Sequence, residues 1–214
     1  METPKNIKLV PFKGEYFPQI HPKNQVYLHH TAGAAEGEAT FRGWDNDKAM
    51  VATCVCISRN GDIVQGFPSN AWAWHLGLAQ KHFAARNLPY KELNKNSIGI
   101  EICSWGSLKK TDKGYQTWAG TILPEERVEV LDKPFRGSLY YERYTDAQIK
   151  SVVDLIHYWA YMYKLDLSYK EDIWDICDRA LEGREGLYSH ASVRPDKSDA
   201  YPCPRLIAAL KALI

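Results

Sequence analysis

Val26-Tyr27-Leu28-His29-His30-Thr31-Ala32-Gly33 is an apolar, β-prone run that ends in two histidines and a small-residue turn. Side chains alternate across a strand, so His29 and His30 point to opposite faces. One strand therefore sends only one of these imidazoles into a site. A rigid strand end that carries an imidazole is a sound place for a metal ligand. Any metal there needs partners from elsewhere in the chain.

Around this stretch the pattern is that of a mixed sheet with helices packed on it, an α/β single domain. Residues 1–22 are polar and contain prolines, and read as an arm leading into the strand Val26–His29. Ala34–Gly43 reads as a loop opening a short helix near Phe41 and Trp44. Thr53–Ser58 and Ile63–Phe67 flank Asn60-Gly61, a strong hairpin signal. Ser97–Cys103 is the best strand: Ile98, Ile100 and Ile102 share one face, Ser97, Gly99 and Glu101 the other. A face of Ser, Gly and Glu is not a packing face. It reads as the floor of a cavity with one carboxylate standing on it.

Residues 104–143 have no clear period and hold several glycines among aromatics and charges. They read as an insertion that forms hairpins and walls a groove, within a domain running from 23 to 214. Thr145–Lys164 is the clearest helix, with Ile149, Val152, Val153, Ile156, Ala160 and Tyr163 on one stripe. Thr145 and Gln148 fit a capping box, and His157 lies on the helix flank. A second short helix is expected over Asp172–Leu181. A last one follows Pro204 over Arg205–Ile214, with Leu206, Ile207, Leu210, Leu213 and Ile214 inward.

Composition excludes several classes. The 214 residues carry 27 Lys plus Arg against 26 Asp plus Glu, a net charge of +1. That balance argues against nucleic acid as a partner and against attraction to a membrane surface. No apolar run reaches the ~18 residues of a membrane span, and residues 1–8 do not resemble a secretory signal. Synthesis in the cytoplasm is expected, and any action outside the cell then needs a separate means of release. The five cysteines, Cys54, Cys56, Cys103, Cys177 and Cys203, are odd in number and form no C-x-x-C pair. Neither a disulfide framework nor a zinc knuckle is favoured, and Cys54 and Cys56 are expected to pack as small hydrophobes.

Among the seven histidines, His190 stands before an irregular loop that carries Lys197 and Asp199. Two imidazoles and a carboxylate, with a fourth position open to water, is the donor pattern of a catalytic zinc site. Spacing alone leaves that set open, because His and Asp are common in loops.

Four stretches in order sharpen the reading: VYLHHTAG at 26–33, VATCVCISRNGDIVQG at 51–66 with AWHLG at 73–77, NSIGIEI at 96–102, and SHASVRPDKSD at 189–199. Together they resemble the zinc-dependent N-acetylmuramoyl-L-alanine amidases of type 2, a superfamily that includes the peptidoglycan recognition proteins. The resemblance implies that fold, peptidoglycan or muropeptides as substrate, and a monomer. It implies zinc held by His29, His190 and Asp199. Cys203 is the rival third ligand, because other branches use a Cys-Pro. Glu101 matches the glutamate that moves the proton of the attacking water, and Lys197 the cation that steadies the oxyanion. His75 matches a recurrent active-site histidine, and with Trp74 and Asn96 is expected to contact substrate; His30 is left as scaffold. Some phage relatives place a catalytic tyrosine where this chain has Thr53. A non-catalytic peptidoglycan-binding module of the same fold is the alternative.

Overall fold

The computed structural model of the protein describes residues 3–33 and 36–213. Ala34, read as the start of a loop, and Ile214, read as inward-facing, lie outside the described residues. In chain order the elements are β1 (Ile7–Leu9), β2 (Gln25–His30), α1 (Gly37–Asp47), β3 (Val55–Ile57), β4 (Ile63–Gln65), α2 (Gln80–Ala84) and β5 (Ser97–Ile102). There follow β6 (Ser107–Thr111), β7 (Gly114–Gln116), β8 (Ile122–Leu123), β9 (Val128–Phe135) and β10 (Ser138–Glu142). The chain closes with α3 (Asp146–Tyr163), α4 (Asp178–Leu181), β11 (Gly186–Ser189) and α5 (Pro204–Lys211).

Six strands form the main sheet in the order β1-β4-β3-β5-β2-β11. It is mixed, as expected: β3 and β4 pair antiparallel, whereas β3, β5, β2 and β11 run parallel to one another. Every residue of β2 and β5 is buried, which parallel strands covered on both faces require. On one face Val26, Leu28, Ile98, Ile100, Ile102 and Leu187 join the core of α3 and α5. On the other, Tyr27 and Tyr188 pack with Leu76, Phe83, Ala180 and Leu181 from α2, α4 and their loops.

Several sequence readings change. The polar first 22 residues add an edge strand, because β1 pairs parallel with β4, and Phe12 enters the core against Phe41. Helix α1 begins at Gly37 rather than near Phe41. A Cβ at Gly37 would meet Val64 and the Cys56 carbonyl at 3.0–3.1 Å, so the glycine that looked like a loop residue allows a close approach. The helix expected over 172–181 is two pieces, a 3-10 turn at Glu171–Trp174 and then α4. Asp175 and Cys177 between them are extended, and the Cys177 N–H leaves the helical ladder to bond the Ser192 carbonyl at 2.9 Å.

Residues 107–142 build a second, five-stranded antiparallel sheet in the order β8-β7-β6-β10-β9, with a small core of Leu108, Leu123 and Val128.

Helix α3 ties the main sheet together. Its buried stripe is wider than periodicity implied: Leu155 and Trp159 are buried with Ile149, Val152 and Ile156, while His157 is exposed. The Thr145–Gln148 capping box is present. Gln148 is also fully buried, and its Nε2 donates to the Cys103 carbonyl at 2.8 Å and to the Ile57 carbonyl at 3.3 Å. The Ile57 carbonyl also accepts the Cys103 N–H at 2.9 Å, so Gln148→Leu leaves the buried Cys103 carbonyl without its donor, at about 1–3 kcal/mol for an unsatisfied group. Urea unfolding should show a lower midpoint with an unchanged slope.

Candidate metal centre

The register of three parallel strands assembles the site. His29 on β2 lies opposite Glu101 on β5, and Leu28 lies opposite Ser189, the last residue of β11. His190 therefore emerges beside His29 at the carboxyl ends of adjacent strands, where open α/β sheets characteristically bind ligands. Asp199 arrives on the loop after His190, held where the Ala200 N–H donates to the Leu28 carbonyl at 3.3 Å.

Among the described residues, His29, His190 and Asp199 form one group able to hold a metal ion. The donor atoms make a small triangle. His29 Nδ1 is 3.1 Å from both His190 Nδ1 and Asp199 Oδ2, and His190 Nδ1 is 2.9 Å from Asp199 Oδ2. Tetrahedral zinc with bonds of 2.0–2.1 Å spaces its ligand atoms by about 3.3 Å, close to this triangle.

The hydrogen bonds around the triangle favour a cation. His190 Nε2 lies 3.0 Å from the Leu76 carbonyl, which can only accept, so the proton sits on Nε2 and Nδ1 presents a lone pair. That lone pair faces the Asp199 carboxylate. A proton on His29 Nδ1 satisfies part of the triangle, whereas one cation satisfies all three atoms. With His29 Nδ1 given to a metal, its Nε2–H donates to His75 Nδ1 at 3.0 Å, and His75 Nε2–H donates to Ser97 Oγ at 2.8 Å.

A cavity of about 490 Å³ opens over the triangle, lined by Glu101, Lys197, His75, Thr53, Trp44 and Thr31 among others. Burial, with the Asp199 charge adding to it, raises the Glu101 pKa well above the ordinary carboxylate range. Burial pushes His29 down to about 4, against the pull of Asp199, and holds His75 well below its usual value. Burial alone would raise Asp199, but its hydrogen bonds with His190 and His29 outweigh it and hold the carboxyl below its ordinary range.

The remaining expected residues divide. His30 turns to the opposite face, with Nδ1 3.1 Å from the Tyr144 hydroxyl. Cys203 is buried at the start of α5 and stands outside the triangle. His75 reaches the cavity, yet both its ring nitrogens bond to protein groups. Trp74 does not line the cavity; its ring packs edge-on against Trp72 and Phe17. Asn96 sits at the far end of β5, where its Nδ2 donates to the Pro22 carbonyl at 2.8 Å.

Asn94 is the residue that sequence reading missed. It is buried, and its Oδ1 accepts the backbone N–H groups of His75 and Leu76, each at 3.0 Å. One amide thus fixes the dipeptide that orients both imidazoles of the triangle. The sequence signal was an Asn two residues from the one chosen.

The sequence matches the N-acetylmuramoyl-L-alanine amidase family over residues 20–204. The chain belongs to that family. Solved structures agree on the fold. The amidase superposes on PlyL with a TM-score of 0.55 at 18% identity, covering 99% of this chain and 98% of that one. It superposes on the selenomethionine derivative of AmpD with a TM-score of 0.54 at 18% identity, covering 98% and 99%. For the N-acetylmuramoyl-L-alanine amidase LysC from Clostridium intestinale the TM-score is 0.50 at 17% identity, with 97% and 98% covered. No curated protein sequence matches the amidase at a significant level.

Asn94→Ala should weaken zinc binding by the 10–100-fold typical of groups that orient metal ligands, whereas Asn96→Ala should leave it unchanged. Competition with a chromophoric chelator measures both. A pH effect follows from the buried imidazoles. His29, His30 and His75 all have folded pKa values below their unfolded ones. The unfolded chain then binds more protons below about pH 6.5, so stability present above that pH is lost as pH falls towards 4. The melting temperature of chelator-treated protein should fall across this window, and less steeply in His29→Gln.

Proposed function

We propose that this amidase uses zinc, held by His29, His190 and Asp199, to cut the amide between N-acetylmuramic acid and L-alanine in peptidoglycan or its fragments, acting as a monomer. The observation that carries the reading is the donor triangle with Glu101 standing in the same cavity. Two imidazoles and one carboxylate suit zinc, which, when bound, polarises a carbonyl and lowers the pKa of water to ~7.

Glu101 takes the proton of the attacking water and later delivers it to the leaving amine. Burial, with the Asp199 charge adding to it, raises its pKa, which favours holding the proton between those two steps. Lys197, on the cavity wall two residues before Asp199, supplies a cation to steady the carbonyl oxygen as it gains negative charge. His75 holds His29 in one tautomer and orientation, a positioning role at the cavity wall. The Thr53 side chain bonds to the start of β3, Oγ1 donating to the Val55 carbonyl at 2.9 Å, which leaves proton transfer to Glu101.

Glu101→Gln should retain zinc and lose about 10²–10⁴ in kcat/KM for release of stem peptide, and Lys197→Ala about 10²–10³. A chelator should abolish activity and added zinc restore it. Undiminished cleavage by Glu101→Gln would refute the acid–base assignment. Peptidoglycan binding with no amide cleavage would instead identify a binding module.

A further inference from the structure

On the second sheet, Trp118 stands at the tip of the turn between β7 and β8. It is 74% exposed, the most exposed large hydrophobic side chain among the described residues. It is nevertheless fixed. Its Nε1–H donates to the Ala32 carbonyl at 2.6 Å, and its ring meets Trp105 edge-on at 6.0 Å between centroids. The turn beneath it is closed by Thr117, whose N–H bonds the Thr121 carbonyl at 2.8 Å and whose Oγ1 accepts the Thr121 N–H at 3.1 Å.

Ala32 and its neighbour Thr31 line the catalytic cavity. The Thr31 N–H and Gly33 N–H bond to the carbonyls of Ile102 and Ser104, both at 3.1 Å, just before Trp105. The aromatic pair is therefore continuous with the cavity rim. Holding a carbonyl needs only a small polar side chain. An indole does it while keeping a flat apolar face in water, and that face forgoes its own burial unless a ligand covers it.

We propose that Trp118, backed by Trp105, is a glycan subsite that stacks an amino sugar of the peptidoglycan strand next to the sugar whose amide is cut. A pyranose ring offers a face of C–H groups with hydroxyls at its rim. It covers an indole without desolvating its polar edge. The assignment rests on the amidase reading, because that reading puts a sugar at the cavity mouth. It adds a preference: polymeric strands over single-sugar muropeptides.

Two measurements test it. In the first, wild type, Trp118→Ala and Trp118→Phe are compared on intact peptidoglycan and on a monomeric muramoyl-pentapeptide. Trp118→Ala should raise KM on the polymer about tenfold, leave kcat unchanged and leave the monomer kinetics as in wild type, with Trp118→Phe between. In the second, the N-acetylglucosamine hexamer is titrated while tryptophan fluorescence is followed. Wild type should show a saturable change that Trp118→Ala lacks. Equal losses on polymer and monomer would reduce Trp118 to a support for the 31–33 loop, and no loss on either would remove the subsite. If wild type cleaves nothing but the hexamer still gives the Trp118-dependent signal, the amidase reading fails and the glycan subsite stands.

Discussion

Parallel pairing of β2 with β5 and β11 is the constraint on which the site depends. Parallel strands start and stop in register without a hairpin, so residues far apart in sequence reach the same edge of the sheet at the same height. His29 and Glu101 do so as direct partners on β2 and β5, and His190 does so as the residue just after β11. A slip of one residue in β2 would exchange His29 for His30 and turn the wrong imidazole into the cavity. What forbids the slip is the other face: Val26 and Leu28 belong to the α3 core, and His30 is held there by Tyr144. The apolar side of β2 thus sets the chemistry of its polar side.

The face that carries the site explains which residues could be found in the sequence. Ser97, Gly99 and Glu101 stood out because a buried strand face without apolar side chains needs another purpose. Ser97 accepts from His75, and Gly99 lies where a Cβ would come within 2.5 Å of the Thr53 methyl and 3.2 Å of His75 Nδ1. His190 and Asp199 could be picked out by donor type, but the set stayed open until the resemblance was drawn, since a loop has no period to betray direction. Trp74 and Asn96 stand outside the cavity lining for a related reason. Adjacency to a motif says nothing about which way an irregular segment turns, and the β-bridge from Val51 to Trp74 with the Asn96–Pro22 bond decides both. The edge strand β1 was hidden because an exposed three-residue strand needs no apolar pattern.

Orientation of the candidate metal ligands is handled by backbone as much as by side chains. The Leu76 carbonyl sets the tautomer of His190, the His75 ring sets that of His29, and both belong to one dipeptide held by Asn94. A displacement of that dipeptide moves both imidazoles together, so the triangle is preserved or lost as a unit. Burial reinforces this by keeping His29 and His75 neutral, the state in which each has a lone pair to offer.

The second sheet is joined to the same machinery through a buried charge. Glu142, at the end of β10, is 1% exposed and meets Arg59 at 3.0 Å as well as Arg127, while the Trp105 N–H donates to it at 2.6 Å. Burying a carboxylate between two guanidiniums is a poor route to stability, because desolvation offsets most of the attraction. Its effect is geometric: only one docking of the second sheet satisfies Arg59 of the main domain, Arg127 of the inserted strands and the Trp105 backbone at once. The position of Trp105, and through it of Trp118, is thereby referred to the strand ends that carry Glu101 and His29. A sheet added after β5 for packing alone would need no such anchor, whereas one that must hold an aromatic face beside the cavity does.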